Sequence, residues 1–359
     1  MNNLISIFFV LFFCFAPLFA FCQENNWSTF TSIKSYSYSD IAPIDQVIHN
    51  LEGNTIHDGD FAYTENKFEI GFLNDNWVFS YIHRYDYFLE FTPDTAHLLY
   101  QKNNNSAITQ EQYDVFLYAN FLESNGFTLK RKNKFSDNFS IDLALSYLNG
   151  IRTKDGYISG NAAATVDEYS ASLYLDYIYS EDTILKRKPE KNSAHGFTVD
   201  FTVKWQPTPE WKVRLSGRDV ISRIYWNDMT FTNANATTNT ISYDEDGLLH
   251  SIPGISGYEG YKDHIQKLPS KYSLINSFQV KHWASVSTEI FAIDQYIFPI
   301  IGAEIHTKGL NYFSSYNIKS KAINIGFSSN KLSLTLGMDD TSWDKATAIN
   351  IELSLNLSI

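Results

Sequence analysis

The chain has 359 residues and a net charge of −12, from 40 acidic against 28 basic side chains, which excludes the electropositive footprint of a nucleic-acid binder. A hydrophobic share of 44% excludes a disordered tail, and only two cysteines, Cys14 and Cys22, exclude a disulfide scaffold. The 23 Tyr, 27 Phe and 7 Trp suit a sheet-rich protein whose side chains meet an interface.

Leu4 to Phe15 is almost purely apolar, Pro17 breaks the run, and Ala20 and Cys22 provide the small residues of a cleavage site before Gln23. Residues 1–22 are therefore predicted to be a secretory signal peptide, even though Met1-Asn2-Asn3 contributes no Lys or Arg. Its removal takes both cysteines with it, and with them any thiol nucleophile or thiolate metal site. No later stretch approaches the roughly 18 apolar residues of a spanning helix, so entry into a membrane has to be by strands.

Residues 23–66 alternate poorly and are read as an N-terminal segment, either a first strand around Thr29 to Ser37 with its loop or a plug in the lumen. Residues 67–359 alternate with period two. Phe139, Ile141, Leu143, Leu145 and Tyr147 interleave with Ser140, Asp142, Ala144 and Ser146, and Phe197, Val199, Phe201, Val203 and Trp205 do the same with polar neighbours. After Gly217 the alternation slips through Asp219 to Trp226, which predicts a β-bulge. Ile323, Ile325 and Phe327 and then Leu332, Leu334, Leu336 and Met338 form a hairpin across Ser328 to Lys331. The chain ends on Ile349, Ile351, Leu353, Leu355, Leu357 and Ile359, a strand with one greasy and one wet face.

Strands near ten residues long, aromatic residues at strand ends, short turns on one side and long loops at 181–195 and 227–271 on the other fit an all-β transmembrane antiparallel barrel. The count is about 16 strands within a range of about 14 to 18, depending on whether 92–111 and 149–167 each hold an extra irregular strand.

The pattern resembles a Gram-negative outer-membrane β-barrel, and strand 349–359 is similar to the C-terminal signal read by the barrel-assembly machinery, with Ile359 where Phe is common. His195-Gly196-Phe197 through Trp226, a Gly-led strand, a Trp-Gln-Pro turn and a second strand ending in Trp, resembles a hairpin of FadL-like transporters and related secretion-associated barrels. The resemblance implies an outer-membrane location, contact with outer-membrane lipid, and solute transport or a part in secretion. Residues 23–66 lack the Asn-Pro-Ala motif of a FadL-type hatch, so a fatty acid is not implied as the substrate.

Signatures of catalysis are missing: there is no Gly-x-Ser-x-Gly and no His-Glu-x-x-His, and His57-Asp58-Gly59-Asp60 reads as a polar turn. Asp244, Glu245 and Asp246 offer hard oxygen ligands for a loop cation, but Leu248 to Ile252 ends the ligand series, and no cofactor or metal is expected. The wet faces carry a ladder of charge: Asp142, Asp176, Asp200, Lys204, Lys212, Arg214 and Arg218. Opposed charges across a lumen set a transverse field that selects solutes, or else pair and fill the barrel. The expected function is a non-enzymatic barrel that passes or binds a small solute through a polar, charge-lined lumen. The alternatives are an accessory or docking subunit of a surface export or secretion system, with 181–195 and 227–271 as contact surfaces, and a hydrolase at the rim.

Overall fold

The computed structural model describes residues 27–106, 112–164, 169–181, 193–237, 241–243, 249–251 and 254–358. The predicted signal peptide, residues 182–192 of the first long loop and the Asp244, Glu245, Asp246 cluster lie outside them. No described helix is long and apolar enough to cross a membrane.

The strands are β1 (Ser28–Ser39), β2 (Phe61–Leu73), β3 (Trp77–Phe91), β4 (Gln112–Ser136), β5 (Phe139–Ala164), β6 (Tyr169–Tyr179), β7 (Ala194–Thr208), β8 (Trp211–Thr237) and β9 (Ile241–Tyr243). They continue with β10 (Leu249–Ser251), β11 (Gly254–Gln266), β12 (Lys271–Lys281), β13 (Ala284–Ile293), β14 (Tyr296–His306) and β15 (Asn311–Asn317). β16 (Ile323–Ser328), β17 (Leu332–Met338) and β18 (Ala348–Ser358) complete the set. Two helices, α1 (Ile44–Ile48) and α2 (Pro93–Asn103), interrupt the first loops.

Closure follows from β1, which pairs antiparallel with β2 on one edge and with β18 on the other, Ile33 facing both Phe68 and Leu353. β6 and β7 run down the same edge of β5, Tyr179 facing Lys154 and Ala194 facing Gly150, so together they fill one position in the wall. β11 and β12 share a position against β8 in the same way. The wall is thus a closed barrel of fourteen strand positions, with the short β9–β10 hairpin outside it. Fourteen is the lower end of the sequence-based range, because period two counts a broken strand as two crossings. The extra strands considered in 92–111 and 149–167 are absent from the described parts of those segments. Thr92 accepts a hydrogen bond from the Thr95 N–H and Pro93 follows it, a start signal for α2, while 149–164 simply prolongs β5.

The longer of the two long loops is corrected in the same sense. Segment 227–271 is largely strand in its described parts, from the end of β8 and from β11, while residues 182–192 of the other loop lie outside the described residues. Residues 23–66 include β1, a full member of the wall.

Facing the outside are Leu143, Leu145, Leu215, Leu274, Val286, Ile290, Ile301, Ile305, Ile323 and Ile325, all exposed. An exposed apolar belt on a closed barrel satisfies both demands of a bilayer, that no backbone polar group and no polar side chain meet hydrocarbon. Trp77, Trp205, Trp211 and Trp283 ring the end that carries the short turns, with Trp205 and Trp211 in contact at 5.9 Å and Arg131 over the Trp77 ring. This is a membrane-interface girdle, and the protein is a transmembrane β-barrel; the end that carries the short turns corresponds to the periplasmic end of such barrels. The wall is lopsided: β4, β5 and β8 have 25, 26 and 27 residues, whereas β15, β16 and β17 have 7, 6 and 7. The tall side therefore stands well beyond the membrane on the outer face. Gly156, with φ of +149°, lets β5 continue there, since a Cβ would come 2.3 Å from the Asp176 carbonyl.

Outer-face and lumen-face positions are expected to differ sharply in urea unfolding from lipid vesicles. Ile301→Lys, at the middle of β14 and facing lipid, should cost about 2–4 kcal/mol. Thr335→Lys, on the lumen face beside Glu352, should stay within about 0.5 kcal/mol of the native protein.

Candidate functional site

The lumen is built in levels, and the alternation of each strand decides which side chains reach it. At the periplasmic end two adjoining cavities of about 550 and 930 Å³ form a wet vestibule. Lys204, Lys212 and Arg214 from β7 and β8 line it, with Glu289 and Glu304 close by on β13 and β14 and Glu352 on the far side on β18. Lys204 is tied to Asp142 at 2.7 Å and Lys34 to Glu352 at 3.7 Å, whereas Lys212 and Arg214 are exposed to the cavity.

Above the vestibule, charges close the lumen. The predicted bulge is present: β7 gives one residue, Asp200, between Val199 and Phe201, where β8 gives Arg218, Asp219 and Val220. Asp219 takes a left-handed φ of 54°, and its N–H donates to the Asp200 carboxylate at 2.8 Å. That turn aims the Asp219 carboxylate inward. Arg84 of β3 grips it with both terminal nitrogens at 2.8 Å, Lys271 of β12 donates to it at 2.7 Å, and Arg84 Nε also holds Asp86 at 2.6 Å. Alongside, Arg218 of β8 pairs with Glu65 of β2, which also lies 3.6 Å from Lys34 of β1. All five central groups, Arg84, Asp86, Asp219, Lys271 and Glu65, are buried. β3 and β8 are separated in the wall by β4, β5 and β7, so these are bonds across the lumen rather than along it.

Chain and side chains fill the space toward the outer face. Between β11 and β12 the link Lys267-Leu268-Pro269-Ser270 turns inward, Asn120 of β4 donating to the Lys267 carbonyl at 2.8 Å and Leu268 packing with Ile82, Leu122, Leu148, Ile224 and Trp226. Gln266 is fully buried, and its amide is satisfied by Trp226, Thr153, Asn120 and the Phe121 carbonyl. Beside this runs an aromatic layer, in which Tyr36 and Tyr38 of β1 meet Phe291 and Phe298 of β13 and β14 at 5.1 to 6.5 Å. Phe61, Tyr63, Phe88 and Tyr296 complete it.

The sequence-predicted ladder is thus distributed over levels. Asp142, Lys204, Lys212 and Arg214 belong to the vestibule; Asp200 and Arg218 belong to the closure; Asp176 stands on the outer extension, 3.4 Å from Lys262. Arg84, Asp86, Glu65 and Lys271 were missed. Arg84 and Asp86 share a face at i and i+2, a signal that alternation could have given, but Glu65 of β2 meets Arg218 only in the closed barrel, and Lys271 meets Asp219 through the β8–β12 ladder. His57-Asp58-Gly59-Asp60 is irregular chain in the outer cap rather than a turn, with Asp58 bonded to His97 at 2.8 Å. Asp40 in the same cap accepts from the Phe61 N–H at 3.0 Å, and burial raises its carboxyl above the usual carboxylate range.

Residues suited to hydrolysis do meet at the vestibule mouth. Ser285 Oγ lies 2.9 Å from His306 Nε2, and Glu304 lies 3.8 Å from His306 Nδ1. The strand backbone around them is engaged in the β12–β13–β14 ladders.

No family model and no curated protein matches the chain. Among solved structures it is similar to the toluene transporter TbuX of Ralstonia pickettii, at 10% identity and a TM-score of 0.44 over 94% of this chain and 90% of that one. It is also similar to the Pseudomonas putida toluene transporter TodX, at 10% identity and a TM-score of 0.44 over 94% and 91%. A FadL homologue of Pseudomonas aeruginosa follows at 10% identity and a TM-score of 0.37 over 92% and 89%. The barrel itself rests on this chain's own strand register and apolar belt.

Truncating one member of the closure leaves the others charged and buried. Asp219→Ala should therefore destabilise the folded barrel by about 3–5 kcal/mol in urea titrations, and Arg84→Leu combined with Asp219→Leu should cost less than Asp219→Ala alone. Equal or greater loss in the double variant would mean that Arg84 and Asp219 do not act as a unit.

Proposed function

We propose that this protein is a gated outer-membrane passage for a small solute, closed at rest by the Arg84, Asp219, Lys271 cluster with the wall link and aromatic layer packed above it, and opened when those pairs exchange partners and release that packing. The observation that carries the reading is the placement of that cluster, which separates a charged periplasmic vestibule from the outer face. Buried ion pairs are poor value as stabilisers compared with apolar packing, and their best-attested use is in register and switching. A barrel that needed only to be full would do better with more rings like Phe61 and Phe298. Ion pairs also have acceptable alternative partners nearby: Lys271 lies 3.5 Å from Asp86 as well as 2.7 Å from Asp219. Below the closure, the basic group of Lys212 and Arg214 beside Glu289 and Glu304 orients whatever small polar solute passes.

A second reading, docking of a partner on the outer extension, has one observation in its favour. Among the described residues β11 pairs only with β8, and it displays Ile255 and Tyr258 at 65% and 63% exposure.

Planar-bilayer recordings separate these. The native barrel should be closed or nearly so, and Arg84→Ala with Asp219→Ala should give steady conductance at least several-fold higher. Adding Lys212→Glu and Arg214→Glu to that open variant should shift permeability from anions toward cations. An Arg84→Ala, Asp219→Ala barrel, the open-lattice variant, that shows heat-modifiable mobility, and so is folded, yet conducts no better than the native protein would overturn the gated-passage reading.

A further inference from the structure

The outer surface of the aromatic layer holds a positive charge that makes no ion pair within 4 Å among the described residues, although the Asp40 carboxylate of the cap interacts with it electrostatically. Lys319, on the connection between β15 and β16, places its Nζ 4.9 Å from the centre of the Tyr296 ring, 5.2 Å from Phe298 and 6.0 Å from Phe61. Phe61 and Tyr296 stack at 3.8 Å with 15° between their planes, and Phe298 leans in at 49° to Phe61, so the three rings form a corner rather than a flat patch. Beneath Lys319 they are 0%, 7% and 0% exposed. The lysine is brought there by a tight turn, Asn317 Oδ1 accepting from the N–H groups of both Lys319 and Ser320 at 3.1 Å.

Among the described residues no carboxylate lies within 4 Å of this ammonium, so the ring faces are what hold it. Carboxylates stand further out, around the same mouth: Glu90 accepts from Gln295, Asp40 from the Asp60 N–H, and the Asp60 carbonyl lies 3.4 Å from the Tyr296 hydroxyl. Rings close by and carboxylates behind them make up the environment in which ammonium ions bind best. A lysine ammonium is a poor occupant for such a corner because it is strongly hydrated and has to give up that water. A quaternary ammonium, more weakly hydrated and wrapped in methyl groups, loses less on entry and offers more surface to the rings. The net charge of −12 draws cations toward the molecule.

We propose that the Phe61, Tyr296, Phe298 corner is a binding site for a small organic ammonium, with Lys319 as its tethered resident, displaced when the ligand arrives. The ligand class is a quaternary or trialkylammonium head group. As a statement about what the passage admits, this rests on the gated-passage reading; as a statement about binding, it does not. A short tether holds Lys319 at an effective concentration in the millimolar range, so the native protein should bind such a ligand weakly.

The test is calorimetric titration of the full, folded barrel with choline and with its uncharged isostere 3,3-dimethylbutan-1-ol. Lys319→Met should bind choline about tenfold more tightly than the native chain, and the isostere about tenfold more weakly than choline. Adding Phe298→Leu, which keeps the corner filled but removes a ring face, should abolish the gain. The site is overturned if folded Lys319→Met binds choline no better than the native protein, if the isostere matches choline, or if Phe298→Leu leaves the gain intact. Conductance of the open-lattice variant with choline present keeps the two readings apart. Calorimetric binding without any effect on current would uphold the site and count against passage, and a conducting barrel that binds no choline would overturn the site alone.

Discussion

The inward carboxylate of Asp219 is the contact on which the closed lumen depends. A fourteen-position wall encloses more space than its own aliphatic side chains fill, and something must span it. The bulge opposite Asp200 forces residue 219 into a left-handed turn and points a carboxylate where a regular strand would point it at lipid or along the wall. Once there, the charge is tolerable only with Arg84 and Lys271 on it: Arg84 ties β3 to β8 across the lumen, and Lys271 reaches it from β12, the ladder neighbour of β8. A local backbone irregularity on one strand thus determines the cross-section of the whole barrel.

The other irregularities serve the same end. The break between β11 and β12 frees four residues to turn inward, where Gln266 finds four hydrogen-bonding partners and Leu268 an apolar cluster on the tall side. The aromatic layer on the short side fills the remaining width, so the lumen is shut by side chains and a wall link, with no separate plug domain among the described residues. The cap, in which Ile41, Leu51, Ile56 and Ala96 pack on Ala62 and Phe91, lies on the outer extension of the wall and borders an apolar cavity of about 360 Å³ there rather than in the lumen.

Most of the wall was legible in the sequence, because a lipid-facing strand has only one way to distribute apolar residues, and the run from Ile349 to Leu357 shows it. The slip after Gly217 was legible as a bulge for the same reason. Strand number was harder: β6 and β7 each alternate correctly, and nothing in a single chain says that both lie against β5. The site was half legible. Wet-face charges such as Lys204 and Arg214 can be found by period two, but which of them meet is set by barrel closure. Glu65 and Arg218 are 153 residues apart. Lys319 carried no signal at all, since a lysine in a polar turn is the commonest of surface residues.

Whether the lumen is closed can be asked directly with a single cysteine, because the only two cysteines lie at positions 14 and 22. Ser287→Cys places a thiol in the vestibule beneath the Asp219 cluster. In vesicles of known orientation, a membrane-impermeant maleimide should label it from the periplasmic face only, and from both faces once Arg84 and Asp219 are replaced by alanine. Labelling of the otherwise native barrel from the outer face at a comparable rate would show an open lumen and contradict the account.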